Sequence, residues 1–250
     1  MKSVFLTLAI ALFATLAHAG PHLVFLIGEK EYETGQTLPE FFETDLKPAG
    51  YTAEFIKAPD EGDGRNDFPG MAAAIAKADL VVVSIRRRAP KKTDLDALRA
   101  HLEAGKPLIG VRTSSHAFDI KGKPIPDGHD VWEGFDPEVL GGNYNGHFND
   151  DPFVLTVTEG AADHPILKGV KIENSARLYR SGPLKKGTQQ LLTGSLEGQT
   201  PEPIAWTNRF GPNKARIFYT SGAIVQDFED AGFRLMLKNA FAWALSKDSE

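Results

Sequence analysis

Four short apolar segments in the first half of the chain constrain the fold most strongly. They cover residues 22–27, 51–56, 78–85 and 107–112, and all but the second are nearly continuous apolar runs. Uninterrupted apolar strands are typical of parallel sheets, in which helices cover both faces. Because helical patterns separate the four segments, the sequence predicts an α/β fold with a doubly wound, mostly parallel sheet.

Local start and stop signals place the helices between these strands. Thr37 and Pro39 predict the start of a first helix, and residues 69–78 predict a second. The third helix has Thr93 as its expected N-cap and Gly105 as its expected end.

The second half of the chain has a different pattern. Residues 119–150 are rich in Gly, Pro, Asp and Asn and lack periodicity, so they predict a long loop or insertion with a functional role. Strand-like segments follow at residues 152–158, 189–196, 202–210 and 215–221. A C-terminal helix has one apolar face made of Phe233, Met236, Leu237, Ala240, Phe241 and Ala244. With neither repeats nor a linker, residues 20–250 are predicted to form a single domain.

The first 19 residues carry the pattern of a secretory signal peptide. Lys2 gives a positive start, residues 4–16 are apolar, and residues 17–19 form a small-x-small cleavage site. We expect an exported protein, periplasmic or secreted, with the mature chain beginning near Gly20. The alternative is that residues 1–19 form an uncleaved membrane anchor. No other segment is long and apolar enough to cross a membrane.

Charge and cysteine content exclude several classes of function. The 250 residues contain 28 Lys and Arg against 33 Asp and Glu, and the formal net charge is −5. The only basic run, residues 86–88, is short, which argues against a nucleic-acid partner. The absence of cysteine excludes thiol catalysis and thiolate metal sites. Small molecules or proteins remain as partners.

Polar residues follow three of the four predicted parallel strands, where ligands of such sheets bind. These residues are Glu29, Lys30 and Glu31 after the first strand, Arg86, Arg87 and Arg88 after the third, and Arg112, Thr113, Ser114, Ser115 and His116 after the fourth. The arginines of the third set could instead pair with acids as a solvated rim. Arg112 ends a buried strand and needs a partner, either a carboxylate or a ligand oxygen.

Histidines are the second group of candidate residues. His116 lies near the first turn after the fourth strand and could act as acid, base, hydrogen-bond donor or metal ligand. His147 lies in a glycine-rich segment whose backbone can approach a ligand closely. His164 is expected to anchor a turn before Pro165, and His101 is expected on a helix surface.

The order of these segments resembles the ThuA-like family, named for trehalose utilisation. The resemblance extends from about residue 22 to 245 and rests on residues 110–118, 139–148, 163–170 and 203–221 and on the last helix. It implies a flavodoxin-like fold of the class I glutamine amidotransferase type. Where those amidotransferases carry a nucleophilic cysteine, this chain has Arg112, so glutaminase chemistry is not expected. Family members often carry histidine at that position, aspartate at position 116 and Gly-His where Ala223 and Ile224 stand, so the chain resembles an arginine-bearing subgroup.

The resemblance implies a protein of carbohydrate metabolism, acting on a trehalose-type sugar or a keto-glycoside. In this hypothesis His116 or Glu31 exchanges a proton, and Arg112 stabilises developing oxyanion charge. The candidate substrate-binding residues are Glu29, Arg86, Thr113, Ser114, Asn143, Asn145 and His147.

Three alternatives stay open. A non-catalytic sugar-binding or protein-interaction module could keep the fold without the nucleophile. His116, His147 and a carboxylate could supply three metal ligands, although the spacing is no metal signature. A serine hydrolase built on Ser114 or Ser115 is disfavoured because the elbow position carries arginine. The sequence assigns neither a cofactor nor an oligomeric state.

Overall fold

The computed structural model describes residues 20–149, 153–172 and 177–246. Its eight strands form one sheet in the order β2-β1-β3-β4-β8-β7-β6-β5. The strands are β1 His22–Gly28, β2 Thr52–Lys57, β3 Leu80–Ile85, β4 Leu108–Val111, β5 Val154–Val157, β6 Gln189–Ser195, β7 Glu202–Phe210 and β8 Ala215–Thr220. Strands β1 to β4 and β8 run parallel, and β7, β6 and β5 continue the sheet by antiparallel pairing.

The parallel half has the flavodoxin strand order, with β8 as the fifth strand. All eight predicted strands are present, with bounds within two residues of those predicted. The predicted α/β class and mostly parallel, doubly wound sheet are confirmed. The assignment of residues 20–250 to one domain stays a prediction.

Four α-helices and several shorter helical turns connect the strands. The α-helices are α1 Thr34–Phe41, α2 Met71–Lys77, α3 Lys92–Glu103 and α4 Ala231–Leu245. Single turns of 3₁₀ helix cover Lys47–Ala49, Asp63–Asn66, Arg112–His116, Pro165–Leu167 and Val225–Glu229, and π-helical turns cover Phe42–Leu46 and Phe135–Leu140.

Two predicted helix starts were wrong, because distant groups satisfy the first backbone N–H groups. Helix α1 begins at Thr34, whose N–H donates to the Glu29 carboxylate at 2.8 Å. Helix α3 begins at Lys92, whose N–H donates to the Gly128 carbonyl at 3.0 Å, so Thr93 lies inside the first turn. The sequence signals for caps are local and do not register such partners.

Helices cover both faces of the sheet. Along β1, Leu23, Phe25 and Ile27 face the layer that contains α1 and α4, while Val24 and Leu26 face the layer of α2 and α3. This burial on both faces explains the continuous apolar runs in the sequence. The predicted apolar face of α4 is confirmed, since all six of its residues are buried.

Residues 119–149 of the predicted insertion are anchored to the sheet by the helical turn Phe135–Leu140. Phe135, Val139 and Leu140 of this turn are buried. The indole N–H of Trp206 donates to the Leu140 carbonyl at 2.7 Å, and the Asn208 amide donates to the Val139 carbonyl at 2.9 Å. The anchoring fixes the insertion against the sheet.

Two histidines outside the insertion have structural positions. His101 is buried, not on the helix surface as expected, and its Nε2 lies 3.1 Å from the Pro107 carbonyl. His164 accepts the Ile166 N–H at 3.2 Å and so anchors the turn before Pro165 as expected.

None of the helices in the described part of the chain has both the length and the apolar character of a membrane span. The predicted signal peptide, residues 1–19, lies outside the described residues.

Candidate functional site

Several residues near the carboxyl ends of the parallel strands have positive φ angles. Glu33, Arg87, Arg112 and Ala223, which follow β1, β3, β4 and β8, have φ angles of 54°, 51°, 44° and 83°. Side-chain-bearing residues rarely adopt this region, and such strain persists where surrounding contacts hold it, often at functional sites. At Ala223 the holding contact is a 2.8 Å hydrogen bond from its N–H to the buried Asp227 carboxylate.

A cleft of about 500 Å³ opens at this edge of the sheet, between the turn after β4 and the insertion. Its lining comprises Arg87, His116, Asp119, Lys121, Glu133, Asp136, Asn143, Tyr144, Asn145, Gly146, His147 and Arg180. The structure therefore brings together four sequence candidates: His116, Asn143, Asn145 and His147.

His116 is a neutral imidazole at the wall of this cleft. The residue is 4% exposed, its ring centroid lies 4.3 Å from that of Tyr144, and its Nδ1 has no hydrogen-bond partner among the described residues. Burial, together with the cations Arg87, Arg86 and Arg112, lowers the pKa of His116 to about 3. At neutral pH the ring is a hydrogen-bonding group and a weak base.

Asp136 is a second buried titratable group that lines the cleft, and it lies in the turn Phe135–Leu140. It is 8% exposed. Burial raises the pKa of the Asp136 carboxyl to about 8, against the opposing hydrogen bond from the Tyr144 backbone N–H. The carboxyl is therefore protonated at neutral pH and can donate a proton. Paired groups with oppositely displaced pKa values are typical of acid–base sites.

The segment 143–148 forms an exposed wall of the cleft with a fixed backbone. The Asn145 N–H donates to the Arg180 carbonyl at 2.8 Å, and the Arg180 N–H donates to the Gly146 carbonyl at 2.9 Å. The Tyr144 hydroxyl lies 2.9 Å from His147 Nδ1. Asn143, Asn145 and His147 are exposed. Polar groups on such a wall can bind hydroxyl groups.

Arg112 lies beneath the cleft and is not among its described lining residues. It is 1% exposed, and its guanidinium carbon lies 3.9 Å and 4.6 Å from the ring centroids of Tyr179 and Tyr32. Its Nη1 donates to the carbonyls of Ser221 and Arg177, at 3.0 Å in the latter case. These contacts satisfy Nη1 and pack the guanidinium against aromatic rings, whereas its Nε and Nη2 are buried without a hydrogen-bond partner among the described residues. A role of Arg112 in ligand binding stays a prediction.

The hydroxyl residues after β4 are also buried below the cleft. Thr113 and Ser114 are fully buried, and their hydroxyls have no hydrogen-bond partner among the described residues. The Tyr219 hydroxyl donates to the Arg112 carbonyl at 2.8 Å and lies 3.0 Å from the Ser115 hydroxyl. Burial of these side chains leaves no accessible serine for the nucleophile of the hydrolase alternative.

The carboxylates of Glu29 and Glu31, which follow β1, contact other groups of the protein. The Glu29 carboxylate is buried and accepts the N–H groups of Tyr32 and Thr34, both at 2.8 Å, so it organises the β1–α1 connection. Glu31 pairs with Arg86 at 3.0 Å near the surface. Neither Glu29, Glu31 nor Arg86 belongs to the described lining of the cleft.

The three consecutive arginines have three different environments. Arg88 is buried and donates to the carbonyls of Gly28 and Asp60 at 2.9 and 3.1 Å, and burial lowers its pKa to about 10. Arg87 lines the cleft and contacts the Asp119 carboxylate at 3.4 Å. Arg86 is half exposed.

Sequence analysis missed Asp136, Tyr144 and Arg180. The available signal for Asp136 was a carboxylate directly after Phe135, in a segment already predicted to be functional. Arg180 gave no signal, because only the pairing of residues 178–181 with the insertion brings it to the cleft.

The metal-assisted alternative lacks structural support. In the described ranges, no three His, Asp or Glu side chains are grouped closely enough to hold a metal ion. The residues of the cleft do not define a cofactor site.

Comparison with known proteins places this architecture in a family. The family described as ThuA, trehalose utilisation, matches residues 62–244. The chain belongs to the ThuA family. No curated protein matches the sequence significantly.

Solved structures show the same fold. A ThuA-like protein from Bacteroides uniformis has a TM-score of 0.64 at 18% identity, covering 91% of this chain and 92% of that one. A ThuA-like protein from Parabacteroides merdae has a TM-score of 0.63 at 17% identity, with 90% of each chain covered. The mmIFT52 N-terminal domain has a TM-score of 0.56 at 12% identity, covering 92% of this ThuA-family chain and 99% of that domain. These likenesses establish the flavodoxin-like, glutamine-amidotransferase-like fold.

Proposed function

We propose that this ThuA-family protein binds a trehalose-type sugar or a keto-glycoside in the His116 cleft and acts on it by acid–base chemistry. The family supports a role related to carbohydrate metabolism. The single observation that carries the catalytic proposal is that a protonated carboxyl, Asp136, and a neutral imidazole, His116, line one cleft.

The proposed roles follow from the chemistry of each group. Asp136 donates a proton to a sugar oxygen, and neutral His116 hydrogen-bonds the reacting group without charge. The Tyr144 ring supplies an apolar surface for a sugar face, and the amides of Asn143 and Asn145 bind hydroxyl groups. Arg112 fixes Tyr179 and Tyr32 beneath the cleft. We do not propose glutaminase activity, because the chain has no cysteine.

Binding and turnover of trehalose and its 3-keto derivative test this proposal. Asp136→Asn keeps the shape of the cleft but cannot supply the proton, so we expect kcat to fall by about 10²- to 10⁴-fold with little change in Kd. Asn145→Ala should weaken binding. Asp96→Asn, on the exposed face of α3, serves as the matched control and should keep both values.

Three results would contradict the proposal. Full turnover by Asp136→Asn would remove the carboxyl from the mechanism. Saturable sugar binding without product in the wild type would instead support the non-catalytic binding module. Absence of binding by every sugar would favour a protein-interaction role.

We also propose that the protein is exported to the periplasm or the medium. The proposal rests on the order of Lys2, the apolar residues 4–16 and the small-x-small site at residues 17–19.

A further inference from the structure

We propose that a second cleft, adjoining the His116 cleft, binds a tetrahedral dianion, the phosphate or sulfate group of a sugar ester. It has a volume of about 400 Å³ and lies between the residues after β3, the turn Asp63–Asn66 and the insertion. The identity of the sugar part rests on the function proposed above, whereas the anion site does not.

The lining of this second cleft is cationic. It contains Arg65, Arg86, Arg87, Lys121 and Lys123, together with Asn66, Ile120 and Pro124, and no Asp or Glu is among the described residues that form it. The whole chain has a formal net charge of −5. A surface that gathers five cations on an acidic protein concentrates positive potential where an anion is attracted.

Nearby carboxylates neutralise only part of this charge. Arg86 pairs with Glu31 at 3.0 Å, and Arg87 contacts Asp119 at 3.4 Å. Asp119 also accepts the backbone N–H of Lys121 at 2.7 Å. Within the described ranges, three side chains of the lining form no ion pair with a carboxylate: Arg65, Lys121 and Lys123. The charge left uncompensated suits a dianion better than a single carboxylate.

Hydrogen-bond donors remain available in the same place. Arg65 lines the cleft, and its Nη2 makes one long contact of 3.4 Å with the Arg87 carbonyl, which leaves the outer edge of the guanidinium as a donor. The Asn66 Oδ1 accepts the Ala89 N–H at 3.0 Å, which leaves its NH₂ group as a donor. Guanidinium and amide donors match the geometry of phosphate and sulfate oxygens.

The two clefts adjoin and share part of their lining. Arg87 and Lys121 line both of them. A sugar ring beside Tyr144 could therefore carry its ester group into the cationic cleft. The apolar side chains of Ile120 and Pro124 give this passage one uncharged wall.

Calorimetric titration at constant ionic strength tests the anion site. The probes are inorganic phosphate, sulfate, glucose, glucose 6-phosphate and glucuronate. For the wild type we expect saturable binding of phosphate and sulfate, and at least tenfold tighter binding of glucose 6-phosphate than of either glucose or phosphate. Glucuronate, with one carboxylate, should bind no more than a few times tighter than glucose.

Matched variants distinguish binding at a local site from a general effect of the net charge of the protein. Lys121→Gln/Lys123→Gln should weaken phosphate binding at least tenfold, and Arg65→Gln should weaken it as well. Lys168→Gln/Lys171→Gln removes the same charge from exposed lysines outside the cleft and should leave phosphate binding unchanged. Equal losses in the two double variants would overturn the proposal.

The outcomes also distinguish this inference from the proposed function. Phosphate binding without any sugar binding would keep the anion site and remove the proposed function. Sugar binding without phosphate or sulfate binding would keep the proposed function and remove the anion site. Tighter binding of glucuronate than of glucose 6-phosphate would overturn the choice of a tetrahedral dianion.

Discussion

At the scale of single residues, burial shifts the pKa values of two buried groups of the cleft, Asp136 and His116, in opposite directions. It raises the pKa of the Asp136 carboxyl to about 8 and lowers the pKa of the His116 imidazole to about 3, because in both cases burial disfavours the charged form. Both groups are therefore neutral near pH 7. Asp136 can then donate a proton, and His116 can act as an uncharged hydrogen-bonding group.

The raised pKa of Asp136 predicts a loss of stability with rising pH. Above pH 4 the unfolded chain releases this proton while the folded protein keeps it until about pH 8, so the free energy of unfolding falls across that interval. One proton corresponds to about 1.4 kcal/mol per pH unit at most. Asp136→Asn should therefore become more stable relative to the wild type between pH 5 and 7, as measured by urea unfolding.

The control for this titration is Asp96→Asn, whose stability difference from the wild type should be nearly independent of pH over the same interval. If Asp136→Asn and the wild type show parallel pH profiles, Asp136 titrates normally and cannot be the proton donor of the cleft.

At the scale of elements, the connection from β4 to the turn Arg112–His116 depends on the absence of a side chain at Gly110. A Cβ there would lie 2.7 Å from Ser114 Oγ, 3.1 Å from Leu140 Cδ2 and 3.2 Å from Tyr219 Cδ2. Strand, turn and insertion are packed together at this point. The close contact explains why a central strand carries glycine, which is otherwise unfavourable there.

Gly110→Ala should destabilise the protein by about 1–3 kcal/mol, because Leu140 and Tyr219 are buried and must move. Thermal and urea unfolding measure this loss. Gly35→Ala is the matched control, since its Cβ would meet only Ile27, at 3.9 Å, within helix α1. That change should leave stability unchanged or raise it by up to about 1 kcal/mol. Equal stability of the two variants would contradict the close packing inferred at β4.

At the scale of the whole molecule, the central strands of the sheet are buried and the edge strands are more exposed. The parallel strands β1, β3, β4 and β8 are buried along nearly their whole length, whereas the edge strand β5 exposes Val154 and Val157. The cleft lies at the carboxyl ends of the buried parallel strands. A rigid parallel half supports the loops that form the site.

The proposed export has a direct test. Expression of the full sequence in a Gram-negative bacterium should yield protein outside the cytoplasm whose mass corresponds to residues 20–250, because cleavage is expected after Ala19. A version in which Met precedes residue 20 should stay in the cytoplasm. Membrane-bound protein of full-length mass would support the anchor alternative instead.

The sequence alone predicted the strands and the edge of the sheet at which the candidate site lies. Continuous apolar segments defined the strands, since strands buried on both faces have no polar positions. His116 became a candidate through the rule that ligands bind at the carboxyl ends of parallel strands, and His147 through its glycine-rich segment. These inferences depend on local patterns and on general rules of topology.

Only the tertiary structure decided which polar side chains face the cleft. Glu29 and Arg112 are candidate ligand-binding residues in the sequence, yet both side chains are buried. Glu29 accepts N–H groups of the following turn, and Arg112 donates to the carbonyl of Ser221, 109 residues further along the chain. Asp136 and Arg180 reach the cleft because the insertion packs on β7 and pairs with residues 178–181. Burial and pKa depend on such long-range contacts, which no local pattern of residues encodes.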